Sequence, residues 1–126
     1  MKACLLVSIG GICGALSRHF MAGWISKWAG PGFPWGIFAV NIAGCFAMGI
    51  LIGLAEQTRW ISAEVRWLVA TGFLGSLTTF STLEADTFHL WRNGQLGLAV
   101  LNAGGSVVAG VVVLAGAYHL ALWMRS

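Results

Sequence analysis

The chain has 126 residues, 58% hydrophobic and 9% charged, against about 25% charged in soluble domains, which excludes a soluble domain. The net charge of +3 does not point to nucleic acid, because Lys2, Lys27, Arg59, Arg66, Arg92 and Arg125 stand singly at the ends of apolar runs rather than in a patch. One bilayer crossing takes about 20 mostly apolar residues. Four such runs, residues 3–24, 35–55, 67–91 and 96–123, fill the sequence and predict a single all-α membrane domain over 1–126.

The first run opens on Lys2, as a signal peptide can, but continues without a small-x-small cleavage pattern and is read as a retained span. Gly10 and Gly14 are four residues apart, a spacing that lets helices approach closely in lipid. Arg18, followed by His19, lies within this run. An intramembrane arginine either faces a polar cavity, where it attracts anions, or snorkels to the interface. The connection that follows, residues 26–34, has the Gly/Pro composition of a turn.

The second run carries Ala39, Ala43, Ala47, Gly49 and Gly53 at close-packing spacings, with Asn41 near its middle. A carboxamide in hydrocarbon needs a partner, so Asn41 is either a helix–helix hydrogen bond or a donor on a pore wall. Residues 56–66 hold much of the exposed charge, and Ser62 is placed to open the third helix.

The third run contains TGFLGSLTTFSTL, residues 71–83. Gly72, Gly75, Ser76, Thr78, Thr79, Ser81 and Thr82 make a small, hydroxyl-rich break in a span. Lipid supplies no partner for a freed backbone amide or carbonyl, so such a break is buried in protein or lines a polar cavity where an ion or solute passes. Phe80 sits among these hydroxyls. Its ring either packs as core or turns its positive edge to an anion. Glu84 and Asp86 follow, reaching a vestibule, capping hydroxyls or pairing with Arg92.

The tight link Asn93-Gly94-Gln95 makes the last two runs antiparallel neighbours. In the fourth run Asn102 and Ser106 lie four apart on one face, and with Asn41 and the third-run hydroxyls they form a candidate polar track. Gly105 and Ala109 add another small pair. Trp24, Trp28, Trp35, Trp60, Trp67, Trp91 and Trp123 all fall near run ends, as an interfacial belt requires. Cys4, Cys13 and Cys45 have no C-x-x-C spacing, and His19, His89 and His119 show no metal-ligand pattern.

With four spans, Lys2, Arg59, Arg66 and Arg125 share one side, and Lys27 and Arg92 the other, with Arg18 nearby. So weak a positive-inside bias is compatible with insertion in both orientations and an antiparallel pair. A proton-coupled four-span drug transporter needs a membrane-embedded acid in its first span, which has none. A non-transporting scaffold explains the small-residue faces but not the hydroxyl-rich break. An enzyme finds no support: GSLTTFST lacks the G-K-[ST] of a phosphate loop.

Three motifs are recognisable together: G-x-x-G-A-x-x-R-H over residues 11–19, W-G-x-x-x-x-N-x-x-G over 35–44, and TGFLGSLTTFST over 71–82. Through them the chain resembles the CrcB/Fluc family of fluoride channels over essentially its full length. The resemblance implies a multi-pass protein of the bacterial inner membrane: a dual-topology antiparallel homodimer whose third helix is broken, exporting fluoride passively. It implies a structural sodium ion held by backbone carbonyls of Gly75 and Thr78 from both subunits. It maps pore positions onto Asn41, Phe80 and Ser106 and a vestibule arginine onto Arg18, with Thr79, Ser81 and Asn102 as further fluoride candidates. The sequence departs from the family pattern at Leu83, often Phe; Glu84, often Ser; Asn102, often Tyr; and Gly110, often Ser.

Overall fold

The computed structural model describes residues 1–57 and 61–124; Arg59, Trp60 and Arg125, assigned above to the interface, lie outside the described residues. Among the described residues the chain is entirely helical. The helices are α1 (Lys2–Ala29), α2 (Trp35–Gln57), α3 (residues 63–77), α4 (Phe80–Arg92) and α5 (Leu96–Trp123). Three of them, α1, α2 and α5, are long and apolar enough to cross a membrane. The residues of the third run, 67–91, are divided between α3 and α4, neither of which reaches that length alone.

Helix ends follow local chemistry. α1 continues past Trp24 to Ala29, because nothing in Ile25–Ala29 breaks a helix until Gly30, whose φ is 80°. Ser62 caps α3, its hydroxyl accepting from the Val65 N–H at 3.3 Å. Residues 66–74 of α3 bond in the wider i→i+5 pattern, a form frequent at functional sites. α4 ends at Asn93, and Gly94 at φ 75° turns the chain so that the Gln95 N–H reaches the Leu90 carbonyl at 2.9 Å. The turn sets α4 and α5 side by side.

Packing runs through small residues. A methyl on Gly10 would strike the Leu68 carbonyl oxygen, and one on Gly14 the Phe73 carbonyl oxygen, so α1 lies backbone to backbone on α3. Gly49 and Gly53 of α2 meet Leu114, Ala117, Tyr118 and Ala121 of α5 in the same way. Val40, Leu74 and Leu77 form the buried centre. Large apolar side chains point outward instead: Leu5, Ile12, Leu16 and Phe20 on α1, and Val108, Val111 and Val112 on α5. That inversion suits hydrocarbon solvent, where close van der Waals packing replaces the hydrophobic effect as the source of helix association. The chain is a multi-pass membrane protein.

One ion pair joins the N-terminus to the α3 entrance, Lys2 Nζ to Glu64 Oε1 at 2.8 Å. It holds the Glu64 carboxyl down to about 2. A lowered carboxylate pKa contributes stability above its ordinary range, lost as pH falls through the lowered value. Both partners are solvent-exposed, so screening makes that contribution small.

Candidate functional site

The helix is interrupted at two residues. Thr78 (φ −80°, ψ 150°) and Thr79 (φ −148°, ψ 123°) are extended between α3 and α4. Four side-chain contacts hold this interruption. Asn41 of α2 pairs with Thr79 as a neighbouring strand would: its Oδ1 accepts from the Thr79 N–H at 2.9 Å, and its Nδ2 donates to the Thr79 carbonyl at 3.2 Å. Thr78 Oγ1 donates to the Leu74 carbonyl at 2.9 Å, and Thr79 Oγ1 caps α4 by accepting from the Thr82 N–H at 3.4 Å.

These bonds have a consequence for two carbonyls. In a continuous helix the Thr79 N–H would serve the Gly75 carbonyl, and the Thr82 N–H the Thr78 carbonyl. Here one donates to Asn41 and the other to Thr79 Oγ1. Both carbonyl oxygens lose their helical donors, and Gly75 has no side chain and lies at the surface.

A cavity of about 300 Å³ opens beside the interruption, lined by Asn41, Cys45, Thr78, Thr79, Phe80 and Ser106 with apolar neighbours. Among the described residues no carboxylate or basic group lines it. The structure therefore brings Asn41, Thr79, Phe80 and Ser106 together. Phe80 is 71% exposed, its ring projecting from the chain rather than into the core. Ser81 is exposed beside it, 3.3 Å from Thr79 Oγ1. The first N–H groups of α4 precede any helical acceptor, which places a positive helix end at this cavity.

Two predicted residues lie elsewhere. Arg18 is half-buried in a second cavity with Ala15, His19, Ala22, Ser26 and Ile37, away from the Asn41 cavity. Asn102 is fully buried behind the cavity wall, its Nδ2 donating to Thr87 Oγ1 at 2.9 Å and to the Leu83 carbonyl at 3.4 Å. Thr87 was not among the sequence candidates. The one available sign is its i+4 spacing from Leu83, whose carbonyl its hydroxyl meets at 2.8 Å. Gly44, the last residue of the 35–44 motif, and Cys45, which the sequence assigns to no site, both line the cavity.

Gly44 gives a direct check on how α2 seats the interruption. A methyl there would strike Thr78 Cγ2, with no backbone atom close by. Gly44→Ala is expected to lower transport and thermal stability. Adding Thr78→Ser, which removes Cγ2 and keeps the hydroxyl bond to Leu74, is expected to restore both. A double variant no better than Gly44→Ala would show that the clash is not at Thr78.

Residues 5–118 match the family described as CrcB-like protein, Camphor Resistance (CrcB). The chain belongs to the CrcB family. Among its CrcB relatives, a protein from Acidobacterium capsulatum is 39% identical over 110 residues, 87% of this chain and 88% of its own. One from Trichormus variabilis is 45% identical over 109 residues, 86% of this chain and 80% of its own. One from Chlorobium phaeobacteroides is 41% identical over 122 residues, 96% and 94% of the two chains. Each of these CrcB relatives is named fluoride-specific ion channel FluC.

Proposed function

We propose that this chain is a fluoride-specific channel of the bacterial inner membrane, carrying cytoplasmic fluoride outward down its electrochemical gradient. The observation that carries this reading is the cavity at the helix interruption, lined by an amide, hydroxyls and a phenyl ring and, among the described residues, by no acidic group. CrcB membership and relatives named as fluoride channels support it.

Fluoride is small and strongly hydrated, so a path through the membrane must replace its water with donors. Thr79 and Ser106 on the cavity wall and Ser81, in contact with Thr79, offer hydroxyls, Asn41 the remaining proton of its Nδ2, and Phe80 its positive ring edge. Asn41 acts first as a latch on Thr79 and presents that remaining proton from a fixed position. Arg18, in its separate cavity, raises the local anion concentration at a mouth of the path. Hydrogen fluoride enters cells as a neutral acid and dissociates inside, trapping the anion. A negative interior drives the anion out with about 2.3 kcal/mol per 100 mV, so export needs no other energy source.

The same reading includes an antiparallel homodimer in which α3 and α4 form one span broken at Thr78–Thr79. The weak charge asymmetry of the sequence supports insertion in both orientations. The Gly75 and Thr78 carbonyls, stripped of their helical donors, fit a hard cation that takes oxygen ligands. A sodium ion there would tie the two breaks together as a structural element.

Phe80→Ile tests the pore assignment. It keeps an apolar side chain at an exposed position and removes the ring edge. Fluoride efflux from liposomes, read with a fluoride electrode, is expected to fall at least about tenfold in protein that remains folded, the loss of one transition-state contact of about 1.4 kcal/mol. Wild-type efflux in this variant would remove Phe80 from the path.

A further inference from the structure

Two sulfur side chains, Cys45 and Met48, stand three residues apart on α2. Both line the cavity at the helix interruption, and both are half-buried rather than sealed in the core. Helix positions i and i+3 hold their Cβ atoms about 5–6 Å apart. The methionine has three rotatable bonds with which to bring its thioether toward a neighbour. Gly110 of α5 fixes where the Cys45 sulfur lies. A methyl on Gly110 would stand 3.2 Å from Cys45 Sγ, so the thiol occupies the space that a side chain at 110 would take. Ser106, Val107 and Leu114, on either side of Gly110 in the same helix, line the cavity. Cys45 is a free thiol.

The surroundings decide which ligand suits this pair. Thiolate and thioether sulfur are soft donors that select soft cations such as copper(I); silver(I), its heavier congener, shares that preference. Hard cations take oxygen ligands instead. A metal-bound cysteine is a thiolate, so a monovalent cation on one thiolate and one neutral thioether leaves no net charge. A divalent cation would leave a positive charge among apolar neighbours, with no carboxylate on the wall, among the described residues, to balance it. Copper(I) and silver(I) also accept a pair of sulfurs as a complete ligand set.

We infer that Cys45 and Met48 form a two-sulfur site for a soft monovalent cation, copper(I) or silver(I), inside the central cavity. On binding, the Cys45 S–H bond breaks, its proton passes to water, and a sulfur–metal bond forms with no change of oxidation state. The Met48 thioether supplies a lone pair as the second ligand. Cys45 stands one turn from Asn41 on α2, and both line the same cavity, so the bound cation sits beside the Asn41 amide and plugs the path. The plugging rests on the fluoride reading; the metal site does not.

The probe is silver nitrate in chloride-free buffer, added to the full-length protein in detergent. Cys4→Ser/Cys13→Ser is the background, since both of those thiols are exposed. One silver per chain is expected to survive desalting, with two sulfur neighbours in its X-ray absorption spectrum. Cys45→Ala is expected to lose it. Met48→Leu, an apolar residue of similar size, is expected to weaken it by at least about tenfold, the loss that even outer-shell changes at metal sites produce. Excess zinc nitrate is expected not to displace it. A background protein that holds no silver, a single sulfur neighbour, displacement by zinc, or full affinity in Met48→Leu overturns the site. Size-exclusion profiles report folding, and Cys45→Ser replaces Cys45→Ala where the latter does not fold. In liposomes, silver is expected to remove most fluoride efflux from the background protein and none of what Cys45→Ala retains. Silver held by two sulfurs with efflux undiminished overturns the plugging and keeps the site. Protein that holds silver in this way and carries no fluoride even without it overturns the channel reading, and the site stands.

Discussion

Asn41→Leu is expected to abolish most fluoride efflux and to destabilise the fold by about 1–3 kcal/mol, the cost of leaving the Thr79 N–H unpaired. The substitution keeps the branched shape of the side chain and replaces its polar atoms by methyls, so no cavity is opened. What is lost is the pair of bonds from Asn41 to the N–H and carbonyl of Thr79. The Thr79 carbonyl, as the cap residue of α4, keeps the first helical bond, but the Thr79 N–H has left the helical ladder and hydrocarbon offers it no substitute. Asn41→Asp separates the two roles of this residue. The carboxylate still accepts from the Thr79 N–H but places negative charge on the cavity wall. Folded protein with little or no efflux is therefore expected. Size-exclusion profiles and thermal unfolding in detergent report the latch, and electrode-read efflux reports the path. Wild-type stability in Asn41→Leu would mean that something other than this amide holds the interruption.

Gly14→Val is expected to leave little or no folded protein. Its added Cβ alone would overlap the Phe73 carbonyl oxygen, and it would sit 3.1 Å from the Leu77 nitrogen. Backbone atoms cannot swing aside as a flexible side chain can, so α1 and α3 must separate. Overpacking costs typically 1–3 kcal/mol where side chains can adjust, and more where they cannot. Separation would also shift the end of α3, and with it Thr78. Gly104→Ala is the control. A methyl there meets nothing within 4 Å, and alanine is the better helix former by about 1 kcal/mol. Yield and unfolding temperature of the two variants, measured together, check the prediction. Equal stability would mean that α1 and α3 are not in backbone contact.

Much of the architecture was legible because lipid as a solvent restricts the choices. Runs of apolar residue gave α1, α2 and α5, and the small-residue spacings at Gly10/Gly14 and Gly49/Gly53 gave the faces that touch. The TGFLGSLTTFSTL run, whose glycines and threonines need protein partners in a span, contains Thr78 and Thr79, the extended residues between α3 and α4. Which partner was not legible. Asn41 had two readings, and only three-dimensional contact across 38 positions of sequence set it against Thr79. Asn102 and Ser106 stand four apart in the last run, yet that spacing does not say which member sees the cavity. Thr87 decides that by holding the Asn102 amide from α4. The end of α1 was read too early, because Trp24 marks an interface whereas a helix stops only at a residue that breaks it, here Gly30.

Fluoride efflux from liposomes containing the purified wild-type protein, with chloride measured in parallel, tests the central claim most directly. Rapid fluoride release with negligible chloride release is the expected result. Folded, membrane-inserted protein that releases no fluoride, or releases both ions alike, would contradict a fluoride-specific path through the Asn41 cavity.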